Sequence, residues 1–167
     1  GDLLPHSFEQ IEKLADQRSE VTGLATGYND FEIVAANLLD GEDRRVSDRI
    51  LGYALYIDPP LGRVGMTEAQ ALKAGKKVLV GRRPMSRVGR AIEKGETQGF
   101  MKVLVDRETH LILGAALLCI EGDEIVHSLL DVMAAKAPYT VIQRSVHIHP
   151  TVSELIPTLL GSLKPLE

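Results

Sequence analysis

The sequence predicts an α+β domain: an antiparallel β-sheet flanked by helices, with a helical segment at the N-terminus. Three observations predict it. Two aliphatic runs, Phe100 to Val105 and Leu111 to Cys119, are separated only by Asp106-Arg107-Glu108-Thr109-His110 and read as an antiparallel hairpin. From about Arg49 onward, short β-branched and aliphatic runs alternate with Gly and Pro, whereas residues 1–45 carry helical periodicity. The hairpin strands stand together with helices between groups, which argues against a doubly wound parallel sheet.

Composition bounds the function. The chain has 167 residues, 19 basic and 23 acidic side chains and a net charge of −4, sized for one compact domain or two at most. With 44% apolar residues it can bury a core without disulfides or metals. The single Cys119 excludes an intramolecular disulfide and a redox dithiol. Mixed charges leave no electrostatic footprint for nucleic acid. No run approaches the roughly 18 apolar residues of a membrane span, and no signal pattern opens the chain. A soluble, cytoplasmic protein with no nucleic-acid or membrane partner is expected. Gly1 and Leu166-Glu167 read as edges of a piece cut from a longer protein, 166–167 being a tag remnant.

Along the chain, Ser7 and Gln10 have the spacing of a capping box, with Phe8, Ile11 and Ala15 on one helical face. Thr22-Gly23 through Gly27 reads as a flexible connection. After Tyr28-Asn29-Asp30, Phe31, Val34, Ala35 and Leu38 repeat at helical spacing, and Gly41 supplies a stop. Leu51 to Ile57 reads as a strand closed by Asp58-Pro59-Pro60, since proline removes donors. Gly62-Arg63-Val64-Gly65 lacks the length and setting of a phosphate cradle and reads as a turn. Thr67 with Gln70 makes a second capping box, opening a helix that runs to Lys73 and ends at Gly75. Lys77 to Arg83 is a strand and Val88 to Lys94 a short helix ended by Gly95. Beyond the hairpin, Glu121 to Lys136 reads as the main helix, with Ile125, Leu129, Val132 and Met133 as its apolar stripe and Ala137-Pro138 as its stop. A brief helix from Thr140, a strand from Ser145 to Ile148 and a last helix from Thr151 to Leu160 complete the chain.

Chemistry concentrates in His147-Ile148-His149-Pro150-Thr151-Val152-Ser153-Glu154. Three readings of it stay open. Thr151 and Glu154 have capping-box spacing, so the stretch could simply start a helix. Alternatively His149 is a general acid/base and Glu154 its orienting carboxylate, which fixes the tautomer and stabilises the imidazolium while the other ring nitrogen exchanges a proton. In the third reading His147 and His149, on one side of an extended segment, ligate a metal in a non-catalytic binding module, for which no convincing third ligand lies nearby. Elsewhere, Cys119 reads as a buried small hydrophobe. The Arg82-Arg83, Arg87 and Arg90 cluster reads as a solvated face. His110 and His127 read as structural or solvated.

From about Ile50 to Leu160 the chain resembles the carboxy-terminal interface, or dimerisation, domain of the flavin-dependent pyridine nucleotide-disulfide oxidoreductases, the family of glutathione reductase, lipoamide dehydrogenase and mercuric reductase. Asp58-Pro59-Pro60-Leu61-Gly62-Arg63-Val64-Gly65-Met66-Thr67-Glu68-Ala69 is similar to that domain's first strand, proline turn and small helix. Gly99-Phe100-Met101-Lys102, Asp106 and Ile112-Leu113-Gly114-Ala115 resemble its central hairpin. The most specific match is His149-Pro150-Thr151 with Ser153-Glu154, the family's active-site signature.

The resemblance implies a fold, a dimer and a set of roles. His149 would be the acid/base reaching across a two-fold homodimer to the partner's disulfide and flavin, with Glu154 orienting it. His149 and Pro150, often joined by a cis bond, would face the partner's flavin. The parent enzyme would use FAD with NAD(P)H as co-substrate in cell redox chemistry, and the fragment alone would bind no cofactor and not turn over. Residues 1–45 would hold the end of an FAD domain, with Gly1-Asp2 left from a flavin-contacting pair and 3–27 unassigned; 46–165 would be the interface domain. The chain has no G-x-G-x-x-G fingerprint and no cysteine pair, so the substrate is not legible. No paired cysteines mark the tail, which makes a mercury substrate less expected.

Overall fold

The computed structural model describes residues 24–166, and the chain divides into two units, residues 1–49 and 50–167. In the first unit the main element is helix α1, Leu24–Leu39. It starts ahead of Tyr28 because Leu24 to Gly27, expected as a connection, already lie in the helix. Its buried positions are Ile33 and Ala36, while Phe31, Val34 and Leu38 of the expected stripe are exposed. Periodicity identifies an apolar face but not what covers it. Behind the helix, Asn37 brackets Arg44, its amide donating to the Arg44 carbonyl and accepting from the Arg44 N–H, both at 2.9 Å. Arg49 returns to the helix through Asn29 at 3.0 Å and an ion pair with Asp30. The expected Ser7–Gln10 helix and Gly1-Asp2 lie outside the described residues.

The second unit is a six-stranded, all-antiparallel sheet of order β1-β2-β5-β4-β3-β6. Its strands are β1 Gly52–Leu55, β2 Leu61–Gly65, β3 Val78–Pro84, β4 Phe100–Asp106, β5 Ile112–Leu118 and β6 Lys164–Pro165. Between them run α2 Glu68–Lys73, α3 Gly89–Lys94, α4 Gly122–Ile125, α5 His127–Ala134, α6 Thr140–Gln143 and α7 Ile156–Leu160. The hairpin pairs Phe100 with Leu118 and Val103 with Ala115. Its loop is closed by Asp106, whose carboxylate accepts from the Glu108 N–H at 2.9 Å and from Lys76 at 3.1 Å. These bonds hold the Asp106 carboxyl below its usual range against the opposing effect of burial.

Strand alternation sorts the two faces. Met101, Val103, Val105, Ala115, Leu117 and Cys119 join the main core with Leu129, Ile142, Val152, Ile156, Leu159 and Leu160. A smaller cluster of Ala71, Val78 and Leu104 lies apart from it. There Glu68 meets Arg82 at 2.8 Å and Lys102 at 3.4 Å. Burial works to raise the Glu68 pKa, and the bonds and charges of the two cations outweigh it and leave it lowered. The Thr67–Gln70 capping box forms as read, with bonds of 3.0 and 2.8 Å, an arrangement whose cap is worth about 1 kcal/mol.

Several expectations are corrected. Gly62-Arg63-Val64-Gly65 is not a turn but most of β2, between β1 and β5. Its glycines serve close approach: a Cβ on Gly62 would meet the Gly122 carbonyl oxygen at 2.0 Å. The Leu51 to Ile57 strand contracts to Gly52–Leu55, and the reversal falls at the cis Asp58-Pro59. The main helix is two helices, α4 and α5, divided at Val126. Gly122 ties the first against β2 and β5, while Leu129 of the second is fully buried, so the halves follow different partners. No strand forms over 145–148, because the alternating Val146 and Ile148 are exposed and have no sheet to face. The last helix starts at Ile156, after a 3₁₀ turn Ser153–Leu155. Pro157 has no N–H to extend an earlier helix but suits a first turn.

Candidate functional site

The segment that carries His147 and His149 leaves α6 and enters the 3₁₀ turn Ser153–Leu155 without regular structure. Its downstream end is anchored in the core through the buried Val152 and Ile156. A Cβ on Gly81 of β3 would lie 2.9 Å from the Leu159 carbonyl oxygen, so α7 lies tightly on the sheet and holds that anchor. What precedes Val152 is arranged by side chains.

The His149 Nδ1 lies 2.8 Å from Glu154 Oε2. An ionised carboxylate only accepts, so Nδ1 carries the proton and Nε2 is left free. The same carboxylate oxygen accepts the Thr151 N–H at 3.3 Å. This is half of the expected capping box. The other half, a backbone N–H donating to the Thr151 hydroxyl, is not made; that hydroxyl donates backwards, to the Ile148 carbonyl at 2.7 Å. The exposures differ in a useful way: the Glu154 side chain is 12% exposed and that of His149 80%. The carboxylate is held inside while the imidazole is presented outside. The His149-Pro150 peptide is cis, and Pro150 is exposed.

His147 does not act as a second free imidazole. Its Nδ1 donates to the Ser153 carbonyl at 2.8 Å. The bond draws the chain before His149 toward the chain before Glu154. Among the described residues no group of three or more His, Cys, Asp or Glu is placed to hold a metal. One neighbour escaped the sequence reading: a Cβ on Gly89, at the start of α3, would lie 3.8 Å from Glu154 Oε1. Only the fold brings it there, and no local pattern signals it.

The remaining candidates stay apart from this pair. Cys119 is fully buried, and burial, with Asp123 and Glu121 nearby, pushes its thiol up to about 12. The arginine cluster disperses: Arg82 pairs with Glu68, Arg83 donates to the Arg87 carbonyl at 2.9 Å, and Arg90 pairs with Glu93 at 3.1 Å. His110 adopts a left-handed backbone, φ 62°, and its ring meets Tyr139 edge-on. His127 is exposed at the start of α5. No described helix is long and apolar enough to cross a membrane.

Comparison with known proteins bears on this geometry. The family model described as the pyridine nucleotide-disulphide oxidoreductase dimerisation domain matches residues 52–160. The chain is 36% identical over 138 residues to "Probable pyridine nucleotide-disulfide oxidoreductase RclA" of Escherichia coli, covering 81% of this chain and 31% of that protein. It is 32% identical over 148 residues to a dihydrolipoyl dehydrogenase of Haloferax volcanii, covering 89% of this chain and 31% of that one. Among solved structures, the HOCl-induced flavoprotein disulfide reductase RclA from Escherichia coli superposes with a TM-score of 0.75 over 81% of this chain and 32% of that chain. The chain thus spans about a third of the length of these relatives.

Proposed function

Because the chain belongs to the pyridine nucleotide-disulphide oxidoreductases, matching their dimerisation domain, we propose that it supplies the proton-handling half of a composite active site to a partner subunit. The observation that carries this is the 2.8 Å bond from the His149 Nδ1 to a largely buried Glu154. Glu154 holds the ring in one tautomer and faces the positive charge that appears when Nε2 takes a proton. Nε2, on the exposed side, then receives a proton from an attacking thiol or returns one to a leaving thiolate.

In this reading the partner is a second copy in a two-fold homodimer, so His149 serves a cysteine pair that its own subunit does not present to it. The residues fit a flavin neighbour as well: His149 and Pro150 are both exposed on one short stretch, and the ring is fixed from behind. The FAD of the parent enzyme would supply the electron relay from NAD(P)H to the disulfide. With one cysteine and no G-x-G-x-x-G run, this stretch of chain supplies protons and not electrons, and alone it would not turn over.

The test is complementation in the full-length enzyme. Subunits carrying His149→Ala should keep their flavin and lose about a hundredfold or more in the disulfide half-reaction. Mixed with subunits lacking the cysteine pair, they should recover activity, because one of the two sites in each mixed dimer is intact. An unchanged His149→Ala rate, or no recovery in mixed dimers, overturns the reading.

A further inference from the structure

We propose that His147 is a positioning residue: through its bond to the Ser153 carbonyl it clamps the base of the loop that carries His149 and keeps His149 on Glu154. The proposal rests on the reading of His149 as the acid/base, and adds a residue whose imidazole neither takes part in proton exchange nor ligates a metal.

The loop needs such a clamp. Among the described residues no main-chain to main-chain hydrogen bond ties residues 146–151, which belong to no helix or strand. Val146 is 96% exposed and Ile148 79%, so packing does not hold this stretch either. The His149–Glu154 bond itself is a poor anchor, since the imidazole is 80% exposed and exposed pairs contribute little against the freedom of a loop.

The Thr151 N–H reaches Glu154 Oε2 at 3.3 Å and the Thr151 hydroxyl lies 3.4 Å from Ser153 Oγ, both at the last residue of the stretch; two shorter side-chain bonds close its turns. The Thr151 hydroxyl closes the inner turn onto the Ile148 carbonyl at 2.7 Å. His147 closes the outer one onto Ser153 at 2.8 Å, from a half-buried position. Ser153 is the residue before Glu154, and its carbonyl also receives the Ile156 N–H at the entry to α7. The clamp therefore ties the start of the loop to the core-anchored turn that carries the carboxylate. His149 lies between the two tied points, and its ring is brought to Glu154 with few conformations left to lose.

The experiment uses long-range ¹H–¹⁵N spectra of the 167-residue chain at roughly pH 8 or above, where imidazole is neutral. In the unaltered chain both His147 and His149 should show protonated Nδ1 and bare Nε2. A His147 in the Nε2–H tautomer cannot donate to Ser153 and overturns the proposal without any variant. His147→Ala should abolish the Nδ1–H preference of His149 and raise the mobility of 146–151, with amide shifts outside 144–156 unchanged. His147→Asn, whose side-chain N–H₂ stands where Nδ1 does, should restore both. An His149 signal unmoved by His147→Ala, or a folded His147→Asn chain that fails to restore it, overturns the clamp. Should His147→Ala fail to fold, the tautomer in the unaltered chain and the His147→Asn spectrum decide. The readout is the ring of His149 and not turnover, so a catalytic failure of His149 would leave it standing, and its own failure would leave the acid/base reading untouched.

Discussion

Gly62 on β2 and Gly122 at the start of α4 meet backbone to backbone: a Cβ on Gly62 would lie 2.0 Å from the Gly122 carbonyl oxygen and 2.9 Å from Val126. Gly122 is confined on its other side, where a Cβ would come 2.3 Å from the Leu117 carbonyl oxygen. The pair lets α4 sit directly on the sheet, and thereby directs α5 and its Leu129 into the main core.

Gly62→Ala therefore has nowhere to put a methyl group. The two nearest neighbours are main-chain atoms of Gly122 and cannot swing aside, so the variant should lose at least about 3 kcal/mol, the upper end of overpacking costs. Urea denaturation checks this, with Gly75→Ala as a control for a left-handed glycine in open space, φ 70°. A Gly62→Ala chain as stable as the unaltered one would contradict the close approach.

Glu154→Gln tests charge apart from geometry. The amide oxygen can still accept from His149 and Thr151, but it carries no charge to face an imidazolium. The full-length enzyme should lose about tenfold in the disulfide half-reaction, less than with His149→Ala. Stopped-flow reduction of the disulfide substrate distinguishes the two, and equal losses would assign Glu154 to more than stabilising the charge.

Cys119 should behave as an inert core residue. Its thiol is fully buried and pushed up to about 12, so thiolate is scarce at neutral pH. An aromatic disulfide reagent should label the native chain at least about a hundredfold more slowly than the urea-unfolded chain. Rapid native labelling would show that the β5 end opens easily.

Asp106 predicts an acid limb of the stability curve. Its folded-state pKa is lowered from 3.8, chiefly by the Glu108 N–H bond, so the unfolded chain binds its proton first as pH falls. The contribution is full above about pH 4 and is lost as pH drops through the folded value. Asp106→Ala should cost about 1–3 kcal/mol at roughly pH 6, and less at roughly pH 3. Denaturation at the two pH values measures it; an equal cost at both would remove Asp106 from the acid response.

How much was legible in the sequence depended on the range of the interaction involved. The Phe100 to Leu118 hairpin and the Thr67–Gln70 box were legible because alternation and capping are written within a few residues. Gly62-Arg63-Val64-Gly65 was misread because a glycine that permits close packing looks the same in sequence as one that permits a turn. Ser145 to Ile148 alternates like a strand and is none, since nothing pairs with it among the described residues. At the site, the spacing of His149 and Glu154 was legible, whereas the Thr151 hydroxyl and the His147 ring took partners that spacing does not choose.

The sequence by itself determined the α+β class, the hairpin, the apolar stripe of α5 and the residue types of the His149 motif, because all of these follow from local periodicity and side-chain chemistry. Only the tertiary structure decided that Glu154 is held inside while His149 points out, that His147 bonds Ser153, and that Gly89 comes to lie beside the carboxylate. Those outcomes depend on where α7 and the sheet place the anchored end of the loop, and that placement is set by core packing between residues far apart in the chain.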